Sequence, residues 1–294
     1  MNETETRPPP LPDQREMLLE ERELVHTLGG FSLQFAGGTL VTNERIPIPR
    51  FNFVSQVAVA RERTAAFFER ALDHYFQRAL RPAFHLDGHT PPHLLETLAR
   101  FGFRARTQPR SLLVWTGPRP ELGDTELETR PADPDELDRA LAFWSDLREQ
   151  AELRRALEVA WTHPNPGERV LPILALADGQ PVSAALLHRY GNVWGIYGVA
   201  TEVEARGRGA ASALVLWAVT SGIPSTEERK IIWSDHRRIT ARLVRLGFRT
   251  VVEHKVFELD PSAELHLPGT DEPSPGPRWR PPRGNPSLEA RKVA

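Results

Sequence analysis

The chain of 294 residues is long enough for one or two domains with a full hydrophobic core. A net charge of −2 lacks the basic excess that non-specific nucleic-acid binding needs, so no nucleic-acid partner is expected. The absence of cysteine excludes disulfides, a thiolate nucleophile and a cysteine metal site; no metal is expected. No apolar run approaches the ~18 residues of a membrane span, and the acidic, proline-rich start has no signal-peptide pattern, so the expectation is a cytoplasmic protein without a membrane partner.

In chain order, residues 1–12 form a polar, proline-rich tail. Asp13 to Leu28 reads as a helix with Met17, Leu18, Leu24, Val25 and Leu28 on one stripe, ended by Gly29-Gly30. Phe31 to Val41 alternates around Gly37-Gly38, a hairpin signal. Ile46-Pro47-Ile48-Pro49 interrupts, and Phe51 to Val59 predicts a strand. Arg63 to Leu80 has helical spacing, and Pro82 to Leu86 predicts a short strand. Thr90 before Pro91-Pro92 predicts a helix cap. That helix closes at Gly102, and Phe103 to Trp115 supplies strand material. Thr116 to Asp124 reads as a linker.

Glu126 to Arg130 predicts a strand, and Asp133 to Arg148 and Gln150 to Trp161 predict two helices. Arg169 to Ala177 and Val182 to Arg189 predict strands joined by an Asp178-Gly179 hairpin turn. Val193 to Thr201 is the next strand, and Arg206-Gly207-Arg208-Gly209-Ala210-Ala211 leads into a helix carrying Leu214, Val215, Ala218 and Val219. The free N–H groups at a helix start suit an anion, and glycine lets a phosphate approach the backbone. The stretch therefore reads as a pyrophosphate cradle. Lys230 to Trp233 predicts a strand, Arg238 to Leu246 a helix closed by Gly247, and Phe248 to Leu259 two strands. Residues 261–294 form a proline-rich tail.

The cradle lacks the Gly-Lys-Ser/Thr of a P-loop, and Ser212 stands where a Rossmann turn has its third glycine. It resembles the Gcn5-related N-acetyltransferase (GNAT) family, whose Q/R-x-x-G-x-G/A signature is filled by Arg206, Gly209 and Ala211. The element order from Glu126 to Leu259 and the closing Leu246-Gly247-Phe248 are similar to that family as well. A shift of 145 residues places Leu98-Ala-Arg-Phe-Gly-Phe103 on Leu243-Val-Arg-Leu-Gly-Phe248, and Ala60 to Ala66 on Ala205 to Ala211. The expected fold is thus α/β: two GNAT-like halves, each a mixed, mostly antiparallel sheet flanked by helices. The expected domains are a degenerate copy over 13–118 and an acetyltransferase domain over 119–260. Glu62 and Thr64 replace the glycines of the first copy, which should not bind the cofactor.

The resemblance implies acetyl-CoA as co-substrate and a small-molecule or peptide amine as acceptor, in a monomer or homodimer. Pyrophosphate would rest on Gly207, Arg208, Gly209, Ala210 and Ala211, with Arg206 and Arg208 adding charge at the rim. Pantetheine would pair with Val199, Ala200 and Thr201. Many relatives place a tyrosine acid at the position of Leu243, which cannot donate a proton. Asp235 and His236 fall where relatives carry an asparagine, and they are the catalytic candidates, with Tyr197 on the fourth strand as a third. His188 and Tyr190 read as surface residues; His163, Trp161 and Trp144 could line an acceptor cleft or pack in the core. The alternative to an enzyme is a non-catalytic acyl-CoA-binding regulatory protein.

Overall fold

The computed structural model describes residues 14–35, 37–88, 90–117, 126–143, 151–162, 168–220 and 228–259. In the first half, α1 (Gln14–Thr27) precedes the hairpin β1 (Phe31–Phe35) and β2 (Gly38–Thr42). Then come β3 (Phe53–Ser55), α2 (Thr64–Phe76), β4 (Ala83–Leu86), α3 (Pro92–Arg100), β5 (Phe103–Ala105) and β6 (Arg110–Trp115). The second half holds β7 (Leu127–Pro131), α4 (Leu137–Ala142), α5 (Ala151–Thr162), β8 (Glu168–Ala177) and β9 (Gln180–Tyr190). It continues through β10 (Val193–Thr201), α6 (Ala210–Thr220), β11 (Arg229–Ser234), α7 (Arg237–Arg245) and β12 (Phe248–Leu259).

Most of the predicted elements are present, with instructive differences. The Ile46–Pro49 interruption shortens β3 at its start, because Pro49–Phe51 takes a 3-10 turn. Thr90 does not cap α3: its hydroxyl donates to Asp87 Oδ1 at 3.3 Å, and Pro91 occupies the cap position. The 178–179 turn has positive φ at both residues, 50° and 73°, as a tight hairpin requires. Phe248 to Leu259 is one strand rather than two.

That last difference joins the two halves. Each half has the mixed, mostly antiparallel sheet that was expected, but the two are not separate: β12 joins all twelve described strands into one sheet. The order is β1-β2-β3-β4-β12-β6-β11-β10-β9-β8-β7, with β5 also paired to β12. β6, from the first half, lies antiparallel between β11 (Ile231 opposite Val114) and the start of β12 (Phe248 opposite Trp115). The end of β12 lies in turn between β4 (Phe257 opposite Phe84) and β5 (Leu259 opposite Phe103). Each half thus lends one strand to the other. The same 145-residue shift that relates Phe103 to Phe248 relates Arg110, the first residue of the lent β6, to Lys255, where β12 crosses over. Pro109, without an N–H for the ladder, breaks β5 from β6, whereas residues 251–255 hold no proline or glycine and run straight on.

Helices cover both faces. On one face of the second half, α6 and α7 bury Leu214, Val215, Val219 and Leu243 against Ile196, Ile232 and Phe248. The opposite face is covered by α1 and α5: Met17, Leu24, Val25 and Leu28 pack with Leu157, Val193, Ile231 and Trp233. So α1, first in the chain, completes the core of the second half. In the first half α2 and α3 pack Phe68, Leu72, Leu94 and Leu98 on Phe84 and Phe257. Both parallel pairs, β3 with β4 and β10 with β11, sit inside this otherwise antiparallel sheet.

The exchange predicts that neither half persists alone. A chain cleaved at a protease site engineered between residues 118 and 125 should elute as one species in native size-exclusion chromatography. A chain beginning at residue 119 leaves the edges of β11 and β12 unpaired, and should aggregate or melt far below the full chain.

Candidate active site at the end of strand β10

β10 and β11 are hydrogen-bonded only from Val193 opposite Arg229 to Ile196 opposite Ile232. Beyond Ile196 the two strands part. On its other edge β10 carries a bulge: the four residues Tyr197 to Ala200 oppose three on β9, Leu186 to Ala184, and Gly198 takes φ +60°. The bulge frees backbone from the ladder where the strands diverge, and a cleft of about 550 Å3 opens there. Gly198, Val199 and Ala200 line it together with Arg110 and Asp235. Thr201, the last of the expected pantetheine-pairing residues, ends the strand with its hydroxyl 2.9 Å from that of Ser183.

The turn into α6 follows. Gly207 and Gly209 have φ of +85° and +91°, the left-handed region that favours glycine. A Cβ built on either would meet no protein atom within 4 Å, so the space beside them is open to a ligand. Ala213 N–H donates to Gly209 C=O at 2.9 Å, and the amides of Gly209 to Ser212, including Ala210 and Ala211, are the first four of the helix. Arg208 is exposed, and Arg206 folds back so that its Nε donates to Thr201 C=O at 3.3 Å. These residues fit a pyrophosphate group. The first-half counterpart differs: Arg61–Arg63 forms a 3-10 turn without glycine, and the Thr64 hydroxyl bonds Ala60 C=O at 3.0 Å.

The proton-handling candidates separate in space. Asp235 is part of the cleft, 3.4 Å from Arg110 Nε and 3.9 Å from Arg106. His236 is exposed and caps α7, its Nδ1 accepting from Arg238 N–H at 3.1 Å. Leu243 is buried among the apolar side chains under α6 and α7. Tyr197 is buried under the strand, where its hydroxyl donates a short hydrogen bond to Glu20 of α1. Burial and the Glu20 and Glu21 carboxylates push the Tyr197 phenol well above its ordinary value, so it stays protonated. Trp144 and His163 lie outside the described residues, and Trp161 falls near the end of α5.

The structure adds a group of charges that sequence reasoning missed. Glu20 bonds His188 Nδ1 at 2.8 Å, and His188 Nε2 meets the Thr27 hydroxyl at 3.1 Å. His188 is therefore no surface residue; it is fully buried, because α1 covers its face of β9. Gly195 makes room for this arrangement, since a Cβ there would collide with the Tyr197 ring and the Glu20 carboxylate. Glu21 pairs with Arg110, and the Arg110 guanidinium also lies over the Trp233 ring at 4.4 Å. Burial raises the Glu21 carboxyl while Arg110 opposes the shift. The signal was present in the sequence. Glu20 and Glu21 fall on the Met17, Leu24, Val25, Leu28 stripe, where a solvated acidic residue has no place.

Beside Arg110, burial lowers the His85 imidazole and brings that of His254 down to about 4, with Arg110 adding to both shifts. Both rings are neutral in the fold. An unfolded histidine takes its proton near pH ~6.5, so the fold is favoured above that value and loses stability as pH falls from ~6.5 towards 4. For His254 this amounts to about 2 kcal/mol between pH 7.5 and pH 5. Glu21, raised instead, contributes with the opposite sign. Urea midpoints at the two pH values should show the loss, and His254→Gln should remove most of its share of the slope.

Residues 119–222 match the model of the acetyltransferase (GNAT) domain. No curated protein matches the sequence. Among solved structures, a GCN5-related N-acetyltransferase from Kribbella flavida superposes with a TM-score of 0.58 at 19% identity, over 84% of this chain and 95% of its own. Another from Sphaerobacter thermophilus gives 0.56 at 15% identity, over 78% and 79%. A tandem GNAT protein from the clavulanic acid biosynthesis pathway gives 0.52 at 15% identity, over 77% and 80%. The bulged end of β10 and the glycine turn both lie within the matched residues 119–222, and the chain has the fold of these GNAT structures, with the GNAT domain model matching that part of its second half.

Proposed function

We propose that this protein is an acetyl-CoA-dependent N-acetyltransferase acting on a primary amine, with its active site in the second half. One observation carries the reading: the open Gly207–Gly209 turn at the start of α6 adjoins the bulged end of β10 where β11 departs. The amides of the turn and the positive end of the helix dipole hold pyrophosphate, with Arg208 beside them. Backbone of Val199 and Ala200 pairs with the pantetheine arm and directs an N–H at the thioester oxygen. Bound acetyl-CoA supplies the activated acetyl group. The amine nitrogen forms a bond to its carbonyl carbon, the C–S bond breaks, and the electron pair departs on sulfur. A thiol pKa near ~8.5 makes that thiolate a tolerable leaving group, so a buried Leu243 at the acid position is compatible with turnover.

The amine must first lose a proton. Asp235, which faces the cleft, is placed to receive it directly or through water, and His236 next to it is a second candidate. The His236→Ala variant separates its roles. As a base, it should take the acidic limb of the kcat profile with it; as the cap seen on α7, it should cost about 1 kcal/mol of stability and leave the profile in place.

Leu243 also supports a second reading, a regulatory protein that binds acyl-CoA without turning it over. Calorimetry tests the binding that both readings share. One acetyl-CoA should bind per chain, because Arg61–Arg63 lacks the glycines of its counterpart, and Gly209→Glu should abolish binding by crowding and repelling the pyrophosphate. A panel of amines assayed by free-thiol release then separates the two. Release of coenzyme A with an amine supports the enzyme, and tight binding without release to any amine supports the regulator. The chain contributes no thiol background.

A further inference from the structure

The Ile46–Pro49 interruption acquires a purpose in the structure. Two buried asparagines hold loop 43–52 rigid. Asn43 N–H donates to Asn52 Oδ1 at 2.8 Å, and Asn43 Oδ1 accepts from the N–H groups of Arg45 and Ile46, each at 3.0 Å. Asn52 Nδ2 donates to the carbonyls of Ile46 (2.8 Å) and Ile48 (3.0 Å), and Ile46 and Phe51 anchor the loop in the core. The loop brings Ile48, Pro49 and Arg50 to the cleft lined by Gly198 to Ala200. The connection between β5 and β6 brings Arg106 to the same cleft. One wall of the second-half cleft is therefore built by the first half.

The charges on that wall are unevenly committed. Arg110 is buried and held by Glu21 and Asp235. Arg106 stands 3.9 Å from Asp235 and 4.0 Å from Glu258, at the outer limit of an ion pair. Arg50 is exposed and lies near Arg110, Asp235 and Glu21, but among the described residues it forms no ion pair. The pyrophosphate turn has its own arginines, Arg206 and Arg208, so Arg50 is not required there. The cleft thus offers a cation at Arg50 and carboxylates at Asp235 and Glu258.

We infer that the amine acceptor is a zwitterion of the amino-acid type, bearing a carboxylate close to the amine. The carboxylate forks onto the Arg50 guanidinium, which presents parallel N–H donors to it. The ammonium lies against Asp235 and Glu258 until its proton leaves. The inference rests on the acetyl-transfer reading and adds to it a substrate class and a role for the first half. The experiment compares free amino acids with their carboxamides as acceptors, by kcat/KM from thiol release. The wild-type protein should favour the acids by tenfold or more. Arg50→Gln should bring that ratio close to one mainly through KM, and Arg50→Lys should restore part of it. Equal use of acids and amides, or a ratio unchanged in Arg50→Gln, overturns the inference while leaving acetyl transfer intact. If no amine is acetylated, the acetyl-transfer reading fails instead. Calorimetry on the protein saturated with coenzyme A then decides the inference: tighter binding of the acids than of the amides, lost in Arg50→Gln, supports it, and equal or absent binding overturns it.

Discussion

The structure depends on two adjacent carboxylates of α1 buried against the sheet of the other half. Removing an ion from water costs several kcal/mol unless partners replace the lost hydration. Glu20 has those partners in His188 and Tyr197, from neighbouring strands, and Glu21 has Arg110 from the lent β6. Each partner comes from a different strand, so a slip of α1 by one residue would leave two carboxylates uncompensated. Gly195 enters as a steric condition, since any Cβ there would occupy the place of the Glu20 carboxylate. The α1 register, the presence of β6 in the second-half sheet and the shape of β10 next to its bulge are therefore one constraint.

The same constraint links the two halves functionally. Arg110 holds Glu21 on one side and Asp235 on the other, so the carboxylate in the cleft is positioned by a residue of the first half. Strand lending gives that residue its place: β6 enters between β11 and β12, which puts Arg110 opposite His254 and beside Trp233. A chain duplicated by simple repetition would build two equal clefts. Here the first half has a 3-10 turn without glycine at Arg61–Arg63, and its loops supply a wall of the cleft in the second half.

Local features of the fold were legible in the sequence because they depend on neighbours in the chain. Helix stripes, the Asp178-Gly179 turn and the Arg206–Ala211 helix start follow from spacing and backbone preference. The sequence matches at an offset of 145 residues, Phe103 with Phe248 among them, could be read as well. Strand exchange could not, because β6 pairs as well with its own half's strands as with the other's on any alternating pattern. Only the straight run through residues 251–255, against the break at Pro109, distinguishes the two halves, and its consequence appears when partners are assigned. His188 was misjudged for the same reason: a hairpin end reads as exposed until a helix from 161 residues away is laid over it.

The catalytic candidates show where motif transfer stops. Position relative to α7 put Asp235 and His236 side by side, and sequence gave no ground for preferring either. In three dimensions the strand-to-helix corner sends them apart, Asp235 into the cleft and His236 onto the first turn of α7, where its ring nitrogen satisfies the Arg238 amide. A capping imidazole uses the lone pair that a base needs, so the two roles compete for one nitrogen. Asp235 carries a different compromise. Its carboxylate faces Arg110 at 3.4 Å and Arg106 at 3.9 Å, so the groups that fix it at the cleft also compete for its oxygens with the ammonium of the proposed acceptor. In the acetyl-transfer proposal, Asp235 therefore has the place of a carboxylate that positions the amine, and His236 that of a helix cap.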